Sequence, residues 1–197
     1  MAGRARPSRV VLTGGPGGGK TTAADLMRRE VGDRIVIVPE AATMLFAAGF
    51  PRSDLPEARR SAQQAIYHVQ CNLEDAHTAL YPDRMLLCDR GTLDSAVYWP
   101  DTGDGNFFDV LNTNLDQEMS RYDAVIFFET AAIGNLSIEG GNPVRTESIQ
   151  EAIQLDRDLQ EIWQQHPNYY FVPHDTSFLA KLRTGLDKLF ELLEASR

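Results

Sequence analysis

Cysteine is nearly absent from this chain, with Cys71 and Cys88 the only two among 197 residues. One falls in a helical pattern and the other in a strand pattern. The sequence therefore offers neither a disulfide framework nor a zinc-type spacing, and it suits a reducing compartment. Histidine is scarce too, with four residues, and His68 and His77 lie too far apart to form an i, i+4 metal pair. Positive charge is in deficit: 19 Lys and Arg stand against 28 Asp and Glu, a formal net charge of −9. That balance argues against a broad nucleic-acid or anionic-membrane surface, so any positive field has to be local. No stretch approaches about 18 consecutive apolar residues, and Met1 to Ser8, despite Arg4 and Arg6, lacks the apolar core of a secretion signal. Repeats and low-complexity segments are missing as well. The expectation is a cytoplasmic protein with no membrane span, with residues 1–8 as a flexible tail and residues 9–197 as one domain. That length suffices for a single three-layer core.

Glycine, by contrast, is concentrated in one place. Gly14-Gly15-Pro16-Gly17-Gly18-Gly19-Lys20-Thr21 fits G-x-x-x-x-G-K-[ST] at every fixed position. The apolar run Arg9 to Thr13 before it reads as a buried strand, and Thr21 to Glu30 after it reads as a helix, which is the context this motif needs. Glycines here let the backbone take positive φ and bring N–H groups around an anion, while the helix N-terminus adds partial positive charge at the same point. Gly15, Gly17, Gly18, Gly19, Lys20, Thr21 and Thr22 are thus the expected nucleotide-phosphate contacts. Lys20 serves the β and γ phosphates, and the Thr21 hydroxyl serves Mg2+.

Four more apolar runs follow. Arg34 to Val38 is a second strand, ended by Pro39, with Glu40 at its exit. In an open parallel sheet, ligands bind beyond the carboxyl ends of the strands, so Glu40 faces the same crevice as the phosphate loop. A carboxylate there also suits the first turn of the helix from Ala41 to Ala48. Arg84 to Arg90 is a third strand, four apolar residues closed by Asp89 and Arg90. An acid at this point can hold Mg2+ opposite Thr21, and Arg90 can grip a phosphate or substrate oxygen. Arg90 and Asp94 are equally an i, i+4 ion pair. Ala124 to Glu129 and Tyr169 to Val172 are the fourth and fifth strands.

Between the strands, Gly49 to Pro56 reads as a loop bordering the substrate pocket. Ala62, Ile66, Val69, Leu73, Ala76 and Leu80 then form one apolar stripe, read as core, on a long helix. Gln63, Gln64 and Gln70 on this helix are candidate substrate readers, whereas Arg59 and Arg60 read as surface charges. Gly91-Thr92 offers an N-cap, Leu93 to Trp99 a short helix, Asp101 to Asn106 a solvated loop, and Asn112 to Met119 another helix. Ile133 to Val144, rich in glycine, reads as a lid. Its candidate is Arg145, which would swing onto the phosphates or simply open the next helix, with Arg157 a second candidate. Ile149 to Trp163 and the helix after His174-Asp175-Thr176-Ser177 both carry apolar periodicity.

Strands alternating with helices imply a parallel α/β sheet covered on both faces. The segments G-G-P-G-G-G-K-T-T, Pro39-Glu40-Ala41-Ala42, Cys88-Asp89-Arg90-Gly91 and Pro143-Val144-Arg145-Thr146-Glu147 resemble the small "AAA domain" P-loop family that includes ribosylnicotinamide kinase domains. The likeness spans most of the chain. The sequence is similar as well to deoxynucleoside and nucleoside monophosphate kinases. There the acid after the second strand can act as a base, and the acid-arginine pair after the third serves metal and substrate. The resemblance implies a P-loop NTPase fold with strand order 2-3-1-4-5, Glu40 as base, and Asp89 and Arg90 at the metal and substrate. The chain is too short for a ring-forming motor with a helical lid domain, and the absence of N-K-x-D favours ATP over GTP. The expected activity is Mg2+-dependent transfer of phosphate from ATP to a hydroxyl of a small nucleoside-like metabolite. The alternative is a nucleotide-binding switch or NTPase acting through a protein or lipid partner.

Overall fold

The computed structural model describes residues 8–103, 105–134 and 148–195. Arg145, most of the expected lid and the first seven residues lie outside them. Five short runs of branched and aromatic residues form the strands β1 (Arg9–Thr13), β2 (Ile35–Val38), β3 (Met85–Asp89), β4 (Ala124–Phe128) and β5 (Tyr169–Val172). All pair in parallel, in the order β2-β3-β1-β4-β5, so the expected order is met. Pairing extends one residue before β1, where the Ser8 carbonyl accepts the Leu86 N–H at 2.8 Å.

Alternation along the strands divides the core. Val10 and Leu12 of β1 and Ile126 and Phe128 of β4 face the helices α1 (Lys20–Val31) and α8 (Phe178–Ala195), meeting Met27 and Leu189. Val11, Val125 and Phe127 point to the other side, against Leu159 and Trp163 of α7 (Ile149–Trp163). With α3 (Pro56–Leu80) also on that side, the sheet is covered on both faces. No helix of the described residues is long and apolar enough to cross a membrane.

The helix α3 departs from the sequence reading. It starts at Pro56, its exposed residues include Ala76 and Leu80, and its buried residues are Ala62, Tyr67, Gln70 and Glu74. Its inward face is polar because partners wait for it. Glu74, fully buried, accepts from Arg9 at 3.2 Å, Arg121 at 2.8 Å and the Tyr122 hydroxyl at 2.8 Å. A carboxylate so surrounded avoids the cost of an unpaired buried charge.

Smaller elements differ as well. Besides α2 (Ala41–Ala47) and the short α4 (Asp94–Val97), a helix that was not expected, α5 (Phe107–Leu111), precedes Asn112, and the helix expected over Asn112 to Met119 is only α6 (Leu115–Met119). Asn112 sits between them at φ 52°, and Asn114 caps the second by accepting the Gln117 N–H. Thr92 does not cap α4: its hydroxyl donates instead to the buried Glu118 at 2.7 Å, a charge-assisted bond that outweighs a cap. Phe178 leaves the apolar stripe of α8 and is 46% exposed.

Candidate active site

The carboxyl ends of β1, β2 and β3 bring three functional segments to one crevice. The loop from Gly14 to Gly19 carries three glycines at positive φ, namely Gly14, Gly17 and Gly19. At Gly14 the requirement is steric as well as conformational, since a Cβ would lie 2.1 Å from the Phe128 carbonyl oxygen. Gly19, at φ 85°, opens α1. Lys20 in the first turn is buried, and its Nζ donates to the carbonyls of Gly14 and Gly15 at 2.7 and 2.8 Å. Burial, and secondarily the charge of Arg90, lower its pKa to about 7, although Asp89, Glu40 and Asp94 pull the other way. Thr21 and Thr22 follow, exposed on the same turn.

Thr21 meets the end of β3: its hydroxyl donates to Asp89 Oδ2 at 2.9 Å. The second oxygen, Asp89 Oδ1, is buried without a hydrogen-bond partner. Burial, with Glu40 nearby, raises the Asp89 pKa, while Lys20 opposes the shift. An orphaned carboxylate oxygen beside a hydroxyl suits a hard cation with oxygen ligands. No group of three or more Asp, Glu, His or Cys able to hold a metal exists among the described residues. A cation here would therefore take its other ligands from nucleotide and water.

Arg90 is the hub. Its backbone is left-handed at φ 71°, which is strained for a residue with a side chain. The strain is held from both sides: the Arg90 N–H donates to the Leu12 carbonyl at 2.9 Å, and Gln70 Nε2 donates to the Arg90 carbonyl at 3.3 Å. The guanidinium bridges two carboxylates, with Nε 2.6 Å from Glu40 Oε1 and Nη1 2.7 Å from Asp94 Oδ2. Burial pushes the Glu40 pKa up, but Arg90, the Thr43 hydroxyl and Lys20 outweigh it, and the net shift is downward. Glu40 is thus a carboxylate at neutral pH.

A cavity of about 570 Å3 opens beside this cluster, lined in part by Glu40, Arg90, Asp94, Gln63, Tyr98 and Leu155. The loop at Pro51 to Asp54 contributes, as expected, and so does Arg59, which is exposed, as the sequence suggests, at the cavity rim. Gln63 reaches the cavity, and Gln70 edges it while tying Ala41 N–H and the Arg90 carbonyl together. Gln64 does not line it, and Arg157 is exposed on α7.

Two members of the cluster were weakly signalled. Asp94 enters the sequence reading only as an ion partner, yet it also accepts from Thr13 at 2.8 Å and Trp163 Nε1 at 2.7 Å. Gln70 was legible as one glutamine of several, and nothing in the spacing marked it as the brace.

Fold and site together define a P-loop α/β nucleotide-binding domain. More narrowly, the chain belongs to the AAA domain family, whose profile matches residues 9–179. No curated protein matches the sequence. Among solved structures it is similar to deoxyadenosine kinase from M. mycoides with bound dATP, at 15% identity and a TM-score of 0.67, covering 92% of this chain and 99% of that one. It is also similar to thymidylate kinase from Candida albicans, at 16% identity and a TM-score of 0.64, covering 96% and 92%. At such identities the likeness establishes the fold.

Proposed function

We propose that the protein is an ATP-dependent, Mg2+-requiring kinase that phosphorylates a hydroxyl of a small nucleoside-like molecule in the cytoplasm. The observation that carries this reading is an ionised Glu40 at the wall of a cavity that Pro16 of the phosphate loop also lines, with Arg90 beside it and the preceding residue, Asp89, holding an orphaned oxygen next to Thr21. The kinase activities of deoxyadenosine kinase and thymidylate kinase agree with it. Phosphoryl transfer asks little covalent work of a protein. Positioning and charge stabilisation supply most of the catalysis.

In this reading Gly15, Gly17, Gly18, Gly19, Lys20, Thr21 and Thr22 surround the ATP phosphates. Lys20, already desolvated, gives full charge to the β and γ oxygens. Thr21 and Asp89 would hold Mg2+, which when bound neutralises charge building on the phosphates. The acceptor sits in the cavity beside Arg90. Glu40 accepts the proton of its hydroxyl as the oxygen bonds to the γ phosphorus, the bond from that phosphorus to the β–γ bridging oxygen breaks and ADP leaves, and Arg90 fixes both the carboxylate and the nearby oxygens. A lowered pKa keeps Glu40 ionised, ready to accept. Arg145 is proposed to complete the charge around the phosphates.

The alternative, a nucleotide switch with a protein or lipid output, gives no role to a cavity with a carboxylate base at its wall. The deciding experiment measures ADP release with and without a panel of nucleosides and related hydroxyl compounds, for wild type and Glu40→Gln. The best acceptor should accelerate wild type well above its hydrolysis rate. Glu40→Gln keeps the shape but loses the base, and should fall by about a hundredfold or more in kcat with a smaller change in acceptor KM. Failure of every acceptor would favour the switch, and normal transfer by Glu40→Gln would remove Glu40 from the chemistry.

A further inference from the structure

Outside the glycine-rich motif, three buried side chains from three different elements grip the backbone of the phosphate loop. The Thr130 hydroxyl, just past β4, donates to the Pro16 carbonyl. Asp156 Oδ1 on α7 accepts the Gly15 N–H at 2.7 Å and the Thr130 N–H at 3.0 Å. Lys181 Nζ on α8 donates to the Gly18 carbonyl at 2.8 Å and also to the Glu129 carbonyl. All three are almost sealed from solvent, with exposures of 0%, 1% and 3%. Contact at Gly15 is so close that a Cβ there would lie 2.7 Å from the Asp156 side chain.

The consequence follows from peptide planarity. In a trans peptide the carbonyl of one residue and the N–H of the next point in opposite directions, and none of the described peptide bonds is cis. Thr130 turns the Pro16 carbonyl toward the protein interior, so the Gly17 N–H faces away from it. Lys181 does the same to the Gly18 carbonyl, and the Gly19 N–H faces out. Asp156 acts on the opposite end of its plane. It draws the Gly15 N–H inward, which leaves the Gly14 carbonyl directed at Lys20 Nζ, 2.7 Å away. Burial along the loop repeats this alternation, for Gly15 and Gly18 are buried while Gly17 and Gly19 are half-exposed.

We propose that Thr130, Asp156 and Lys181 are positioning residues of the phosphate site, setting which N–H groups of the loop are offered to an anion. Gly17 and Gly19 are presented, and Gly15 is withheld. The glycines make the loop free to adopt this arrangement, and the three side chains select it, so that few of its conformations are lost when phosphate binds. This rests on the assignment of residues 14–21 to a nucleotide's phosphates.

The test uses inorganic tripolyphosphate without divalent cation, titrated calorimetrically into the full chain. Thr130→Val keeps the shape of threonine but not the donor, and Asp156→Ala loses the acceptor; each should weaken binding by between about threefold and tenfold. Thr130→Ser and Asp156→Asn keep the bonding atoms and should stay within about twofold of wild type. Conservative and disruptive variants that weaken binding alike, or disruptive variants that bind as wild type does, would overturn the proposal. A second measurement needs no variant. In amide NMR spectra of wild type, saturating tripolyphosphate should shift the Gly17 and Gly19 signals more than the Gly15 signal, and the reverse order would overturn it. If wild type binds no tripolyphosphate, the donor-site assignment itself fails and the positioning role with it. Wild-type binding with unaffected variants removes the positioning role alone.

Discussion

Lys20, in its protonated form, is a buried cation with three donor hydrogens and two loop carbonyls to receive them, which leaves one for a phosphate oxygen. Lys20→Ala removes both the loop contacts and the charge, and should weaken ATP by about tenfold to a hundredfold, the effect of losing a charge-assisted bond. Unchanged affinity in calorimetry would take the phosphate site away from this loop. Asp89 has a different part. Its free Oδ1 forms no bond that the fold depends on, while Oδ2 accepts from Thr21. Asp89→Asn keeps an oxygen for Thr21 but gives up the charge facing the metal. Mg2+-dependent turnover should fall, with more Mg2+ needed to reach half its maximum, and metal-free ATP binding should stay within about threefold. A variant that melts much earlier yet turns over normally would show Asp89 to be structural.

Among the elements, α7 joins the most distant parts of the site. Its buried positions Ala152, Asp156, Leu159 and Trp163 make a helical stripe, and two of the four are there for a polar bond. Asp156 holds the phosphate loop, and Trp163 holds Asp94, which in turn holds Arg90. Trp163→Phe keeps an aromatic ring on α7 but removes the indole N–H, together with the outer indole carbons that lie against Gly91. It should lower unfolding stability by about 1.5 to 3 kcal/mol, read as a shift of the urea midpoint at constant slope. A midpoint unmoved from wild type would show that Thr13 and Arg90 alone satisfy Asp94. This helix also explains what the sequence revealed and what it hid. Five strands, the phosphate loop, Glu40, Asp89 and Arg90 were legible because each rests on a local signal: an apolar run, a glycine spacing, or an acid at a strand end. Asp156, Thr130, Lys181 and the inward face of α3 were not. Their partners lie far along the chain, and a charged residue on an apolar stripe looks like an interruption until its partner is in place. The stripe drawn from Ala62 to Leu80 holds at Ala62 and Leu73 but not at Ala76 and Leu80, since Gln70 and Glu74 are buried by bonds to Arg90, Arg9 and Tyr122 rather than by apolarity.

At the scale of the whole molecule, the buried ions must leave a trace in the dependence of stability on pH. Lys181 is the clearest case: burial lowers its pKa from 10.5 to about 8, despite the opposing pull of Asp156 and Glu129. A native group with a lowered pKa binds fewer protons than the unfolded chain between those two values. Stability therefore rises with pH across that window, and the full cost of burying the cation is present below about pH 8. The span corresponds to roughly 3 to 4 kcal/mol. Lys181→Met removes the titrating group while keeping an unbranched chain beside Phe128, whose ring lies 5.8 Å from Nζ. Other groups titrate in the same range, so the informative quantity is the difference between wild type and Lys181→Met. Urea unfolding at pH 7, 8, 9 and 10 should show wild type gaining on the variant mainly as pH rises above 8, with only a small relative change from 7 to 8. Parallel curves would mean that Lys181 keeps an ordinary pKa in the folded protein. The deprotonated amine still has two hydrogens for the carbonyls of Gly18 and Glu129. The grip on the phosphate loop should thus survive the loss of charge, and tripolyphosphate affinity should follow the titration of Lys181 less steeply than stability does.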